Sequence, residues 1–290
     1  MQPLVIMPMR PADLDFAVHC IALQEWASET RVELESLYMQ SPLTSLIAYA
    51  EHNQPVGIVF GTGYGETGFI GNLIVLPERR GQGIGRQLVD AAVEALRRGG
   101  AHSVYLDGVV KAVPLYERAG FRTICRSVRY VGNLDQRQVE GVAHPSVRPM
   151  QLGDLDLACV LDREAFGADR RFFLKRRLLL YPELCKVLEE EGQLSGFIFG
   201  RRGEGIVMVG PWLVLPTAHR PGDLLESLVA EIGDLPFAFG VLETNTQARE
   251  LAHAFHLEER PNPPLRMVNG PFEQLGASDQ LFAVGSSAKG

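Results

Sequence analysis

The chain has 290 residues, 46% of them hydrophobic and 22% charged, which is ordinary globular composition and length enough for two domains. Disordered, collagen-like and disulfide-framework classes are thereby excluded. A formal net charge of -7 with scattered Lys and Arg argues against nucleic acid as a partner, and no run is apolar enough for a signal peptide or membrane span, so a cytoplasmic protein with no membrane partner is expected.

In chain order, Leu4 to Met9 reads as a short strand and Ala12 to about Ser28 as an amphipathic helix, followed by a second helix over Val32 to Met39. Leu46 to Ala50, Val56 to Thr62 and Phe69 to Leu76 are β-rich runs separated by turn signals, which predicts a meander. Ile84, Leu88, Ala92 and Leu96 share one helical face, and Gly99-Gly100 ends that helix. Val104 to Leu106 then predicts a buried strand, Ala112 to Ala119 a short helix stopped by Gly120, and Arg126 to Val131 a last strand. This is an α/β pattern with a mixed, largely antiparallel sheet flanked by helices.

The pattern then repeats. Arg10-Pro11 with Asp13-Leu14-Asp15 answers Arg148-Pro149 with Asp154-Leu155-Asp156; Gly57 to Gly61 answers Gly196 to Gly200; the run ending at Pro77 answers that ending at Pro216. All are displaced by about 139 residues. We therefore expect two copies of one fold, over residues 1–135 and 147–290, joined by a polar linker at 136–146. A further strand is expected at Gln280 to Val284. Cys20, Cys125, Cys159 and Cys185 have no metal-ligand spacing and are expected to be free thiols.

The most informative stretch runs from Val75 to Arg86, where a strand enters a glycine-rich loop that opens a helix. Unpaired N–H groups at a helix start, close approach allowed by glycine, and Arg79, Arg80 and Arg86 together describe an anion site. The Walker pattern is absent. Gly81-Gln82-Gly83-Ile84-Gly85-Arg86 departs from the dinucleotide fingerprint at its last position, although Asp107 stands at a suggestive distance for that rival reading.

Arg80-x-x-Gly83-x-Gly85, followed downstream by Leu115-Tyr-Glu-Arg-Ala-Gly-Phe121, resembles the GNAT superfamily of N-acetyltransferases. With its faint second copy the chain resembles a tandem bacterial subgroup whose C-terminal domain is degenerate. The resemblance implies acetyl-CoA as cosubstrate, held by Arg80, Gly81, Gln82, Gly83, Ile84, Gly85 and Arg86. It also implies a bulged strand near Asn72 to Leu76, splayed from Tyr105 to Asp107, with pantetheine in the gap against Leu73, Ile74 and Val75. Their N–H groups would stabilise the oxyanion. Tyr116 would donate to the departing thiolate, and acetyl would pass to a primary amine of a small molecule or peptide by direct attack in a ternary complex.

An alkylammonium group has a pKa near 10.4, so losing its proton at neutral pH costs roughly 4 to 5 kcal/mol and calls for an acceptor. Many relatives carry an acid where this chain has Asn72, which cannot take a proton but can hold a water or the substrate, so Asn72 joins Tyr116 as a candidate catalytic residue. Glu25 beside Trp26, Glu33 and Asp107 are the acidic alternatives, with Glu25, Trp26 and Asp107 as candidate substrate residues. Where relatives often have asparagine, this chain has Val109. The missing base also motivates a second reading, a non-catalytic acyl-CoA-binding or sensing protein. The second copy lacks the loop, has Pro221 where an amide is wanted and Ala252 in place of Tyr116, so no acetyl-CoA is expected there. His253 and His256 lack acidic or thiol partners in the sequence, and no metal is expected.

Overall fold

A computed structural model describes residues 4–134, 144–271 and 275–290. The expected linker lies outside the described residues except for His144, Pro145 and Ser146. The chain forms two compact units that are not consecutive in sequence. The first comprises Met1–Ile124, Pro264–Glu273 and Ser287–Gly290, the second Cys125–Pro263 and Gln274–Ser286. Each has the mixed α/β architecture expected.

In the first unit, β1 (Val5–Pro8), β2 (Ser45–Ala50), β3 (Gln54–Gly63) and β4 (Thr67–Val75) pair antiparallel in that order. β5 (Ser103–Gly108) adds parallel to β4, and a strand from far downstream, Leu265–Asn269, closes the sheet antiparallel to β5. α3 (Ile84–Arg98) covers one face, with Leu88, Val89, Ala92 and Leu96 buried against Val56, Val59 and Val104. Each large side chain so buried contributes about 1.5 to 3 kcal/mol.

Local chemistry sets two features of this unit that matter for function. α1 (Leu14–Ala22) stops six residues before the expected Ser28, because Glu25 takes a left-handed φ of 55° that no α-helix accommodates. Trp26, Ser28 and Glu29 therefore lie in a loop before α2 (Arg31–Gln40). In β4, the register against β3 shifts between Ile58 and Phe60, and Asn72 has a φ of 49°, so the predicted bulge sits at Asn72–Leu73. Asparagine is among the few side chains that adopt this backbone readily.

In the second unit, β6 (Arg122–Gly132, entering from the first), β11 (Phe237–Leu242), β10 (Val207–Val214), β9 (Gln193–Arg202), β8 (Cys185–Glu190) and β7 (Val147–Pro149) lie side by side. α5 (Leu155–Phe166), α6 (Arg171–Leu180), α7 (Gly222–Val229) and α8 (Thr246–Ala254) accompany them. Trp212, Phe237 and Phe239 are among its fully buried side chains. The strand expected at Gln280 to Val284 is present over Leu281–Ala283, antiparallel to β10. All four cysteines are free and buried, and burial pushes the Cys20 and Cys185 thiols up to about 12. Among the described residues no helix is long and apolar enough to cross a membrane.

Candidate active site

The site begins with an interrupted pairing. β4 and β5 are hydrogen-bonded over Thr67–Ile70 and Ser103–Leu106 only; beyond that point the two strands part just where the bulge turns β4 aside. The splay expected at Tyr105 to Asp107 thus opens after Leu106. A cleft of about 770 Å³ occupies the gap, within the range of small-molecule sites.

One wall of the cleft is the edge of β4, from Ile70 through Asn72, Leu73, Ile74 and Val75. After β4, Pro77–Arg79 form a tight turn, and Gly81 and Gly83 take φ values of 77° and 78°. Nothing lies within 4 Å of a notional Cβ at either glycine, so backbone conformation and not crowding requires them. The first intrahelical bond of α3 runs from Gln87 N to Gly83 O (3.2 Å), which leaves the N–H groups of Ile84, Gly85 and Arg86 ahead of it. Arg80 and Gly85 line the cleft, and the Arg80 guanidinium is tied to Val75 O at 3.1 Å.

Gly81, Gln82, Gly83, Ile84 and Arg86 are not among the lining residues. The Ile84 side chain enters the core, and Arg86 turns along its helix to Asp90 (2.7 Å) and to the Arg118 carbonyl. Arg79 pairs with Gln54 at 3.0 Å. Of the three arginines, Arg80 alone faces the cleft.

The opposite wall comes from α4 (Val113–Arg118), with Pro114, Leu115 and Tyr116. The Tyr116 ring packs over Gly108 of β5, where a Cβ would stand 3.0 Å from its Cδ2 and Cε2. Its hydroxyl has no hydrogen-bond partner among the described residues, and burial pushes its pKa up to about 12. Val109, which replaces the asparagine frequent in relatives, also lines the cleft.

The acidic candidates separate cleanly. Glu25 lies outside the lining. Glu33 is buried against Lys289 at 2.6 Å, both side chains 4% exposed. Asp107 touches the cleft, but its carboxylate is paired with Arg266 at 2.6 Å in a fully buried bridge. Sequence reasoning missed Glu29. It is buried in the α1–α2 loop, lines the cleft with Gln24, Trp26 and Ser28, and accepts a hydrogen bond from the Asn72 amide at 3.3 Å. The only signal for it was its place four residues after Glu25, just past the end of the stretch read as helix. Ser287 completes this end. It belongs to a return segment anchored by the Lys289 pair and by Tyr64 Oη donating to Lys289 O (2.6 Å).

The matching region of the second unit is closed. β10 pairs with β11 at Val207 and Met208 and then diverges, but Trp212 and Leu213, which answer Leu73 and Ile74, are paired with the strand Leu281–Ala283. α7 starts directly after Pro221 with no glycine loop.

Residues 15–121 match the acetyltransferase (GNAT) family, and residues 158–283 match an acetyltransferase (GNAT) domain. A glucosamine 6-phosphate N-acetyltransferase of Trypanosoma brucei brucei is 29% identical over 109 residues, covering 34% of this chain and 74% of the relative. An assigned acetyltransferase of Pyrococcus horikoshii superposes with a TM-score of 0.82 at 23% identity, covering 100% of this chain and 97% of the other. A tandem GNAT protein from the clavulanic acid biosynthesis pathway superposes at 0.61 with 16% identity, covering 93% of this chain and 100% of that one.

Proposed function

Because the chain belongs to the GNAT acetyltransferase family and carries two of its domains in tandem, we propose that its first unit moves acetyl from acetyl-CoA to a primary amine of a small molecule. The observation that carries this reading is the parting of β4 from β5 after Ile70, which leaves a strand edge between a buried acid and a tyrosine hydroxyl without a partner among the described residues. The residues present fit the cosubstrate. An open edge suits the pantetheine amides, and three N–H groups ahead of the first helical bond, beside Arg80, suit its phosphates.

Acetyl-CoA supplies an activated carbonyl and a thiolate leaving group. The chain's part is to place N–H groups of Leu73 to Val75 where negative charge develops on oxygen. Glu29, oriented by Asn72, takes the acceptor's proton or fixes the ammonium before it is lost. Tyr116 donates a hydrogen bond to the departing sulfur. With its pKa raised to about 12 against about 8.5 for a thiol, complete proton transfer is uphill by roughly 5 kcal/mol, so hydrogen-bond donation is its role. Glu29 also answers the missing base that had favoured a non-catalytic sensor.

An amino sugar is the first acceptor to try, since a curated relative acts on glucosamine 6-phosphate. Release of free CoA thiol in the presence of such amines is expected from the intact chain, with one acetyl-CoA bound per chain. Tyr116→Phe lowers kcat by about 10- to 1,000-fold with little change in CoA affinity, and Glu29→Gln lowers kcat/KM by about 100-fold. An unchanged rate in both variants removes these roles, and binding of CoA without turnover across a broad amine panel favours the sensor.

A further inference from the structure

In the second unit, Asp223 and Glu226 stand three residues apart on the first turns of α7 and so share one face. The segment entering β7 lays the imidazole of His144 against that face, with the His144 side chain 5% exposed and those of Asp223 and Glu226 8% and 26%. His144 Nδ1 is 3.3 Å from Asp223 Oδ2, and Nε2 is 3.2 Å from Glu226 Oε2. Neither contact has hydrogen-bond geometry, so both ring nitrogens are buried beside carboxylates that they do not engage properly. Leaving such groups unsatisfied is costly, and two carboxylates on one helix face repel each other.

We propose that His144, Asp223 and Glu226 bind one divalent transition-metal ion of the zinc class. One ligand atom from each residue lies within 4.8 Å of the other two. Neighbouring ligands of a tetrahedral ion with bonds of about 2.1 Å stand roughly 3.4 Å apart, with the oxygen displaced from the axis of the ring nitrogen. The contact of Nδ1 with Asp223 Oδ2 at 3.3 Å has that spacing and lacks hydrogen-bond alignment, whereas Glu226 stands beside the other ring nitrogen. A single ion uses one of the two nitrogens, and rotation of the partly exposed Glu226 side chain supplies the remaining movement. Arg220 Nε lies 3.2 Å from Asp223 Oδ1, which leaves Oδ2 for the ion, and its side chain is 71% exposed and free to withdraw. One imidazole with two carboxylates suits zinc or manganese and not magnesium or calcium, which prefer all-oxygen sets. The ion would tie the chain entering β7 to the start of α7.

The test is titration of the full chain, freed of metal by chelation, with Zn2+ alone, read by calorimetry and by elemental counting. One Zn2+ per chain is expected, undisturbed by millimolar Mg2+ and raising Tm. His144→Gln and Glu226→Gln should each weaken it by roughly 100-fold and abolish the rise in Tm. Far-UV circular dichroism and the metal-free Tm of the variants check folding. No zinc uptake by the wild type, or equal uptake by wild type and both variants, overturns the site. The trio is then a histidine packed between two carboxylates without an ion, or the zinc sits on surface histidines.

Discussion

Glu29, Glu33 and Asp107 are three buried acids of one unit with different fates, decided by their partners. Asp107 has the Arg266 guanidinium and Glu33 has the Lys289 ammonium, whereas Glu29 accepts from the neutral Asn72 amide and Ser28 hydroxyl. In sequence nothing marks Asp107 and Glu33 as already paired, because Arg266 is 159 residues from Asp107 and Lys289 is 256 from Glu33. No periodicity or spacing rule reaches so far. The Glu33 pair makes a direct prediction. Lys289→Met strands a buried carboxylate and should cost about 3 to 5 kcal/mol, whereas Lys289→Met combined with Glu33→Leu should recover most of it. Denaturant unfolding of the two variants measures the difference, and equal losses would show that the pair is not what holds the return segment.

The repeated strings acquire a physical meaning once elements are compared. Asp13 accepts the Arg10 backbone N–H at 2.7 Å, Asp154 accepts that of Gln151 at 2.7 Å, and each carboxylate also binds an arginine of the preceding strand or turn. Both copies thus start their first helix with the same short 3-10 turn closed by an aspartate. Hydrogen bonds from the Arg148 guanidinium hold Asp154 below the usual carboxylate range. Its folded pKa is depressed, so its contribution to stability is complete above the unfolded value of about 3.9 and is lost as pH falls through the folded one. Asp154→Asn should therefore lower Tm at pH 7 and flatten the fall of Tm between pH 5 and 3, which thermal melts across that range would reveal. Features carried by local backbone demands were legible in the sequence: the glycine loop, the long helix over Ile84–Arg98, and the register of two copies, whereas the bulge near Asn72 was expected only from the family resemblance. The early end of α1 was not, since the left-handed turn at Glu25 carries no glycine or proline to announce it.

Across the whole chain, the expected division at 136–146 would separate each unit from part of itself. The strand Leu265–Asn269, Arg266 and the return segment Ser287–Gly290 all belong to the first unit. A chain ending at residue 135 would leave the outer edge of β5 unpaired, Asp107 without Arg266 and Glu33 without Lys289. Such a truncated chain is expected to aggregate and to bind no CoA, whereas the full chain binds one; sedimentation and calorimetry distinguish the outcomes. The same arrangement constrains the order of events during synthesis. The edge of β5 is made at Ser103–Gly108, but its closing strand begins at Leu265. At about 5 to 20 residues per second the ribosome needs roughly 10 to 30 s to reach it. For that interval the nascent sheet carries an open strand and two acids without their cations, so the first unit is completed only as the last residues of the chain emerge.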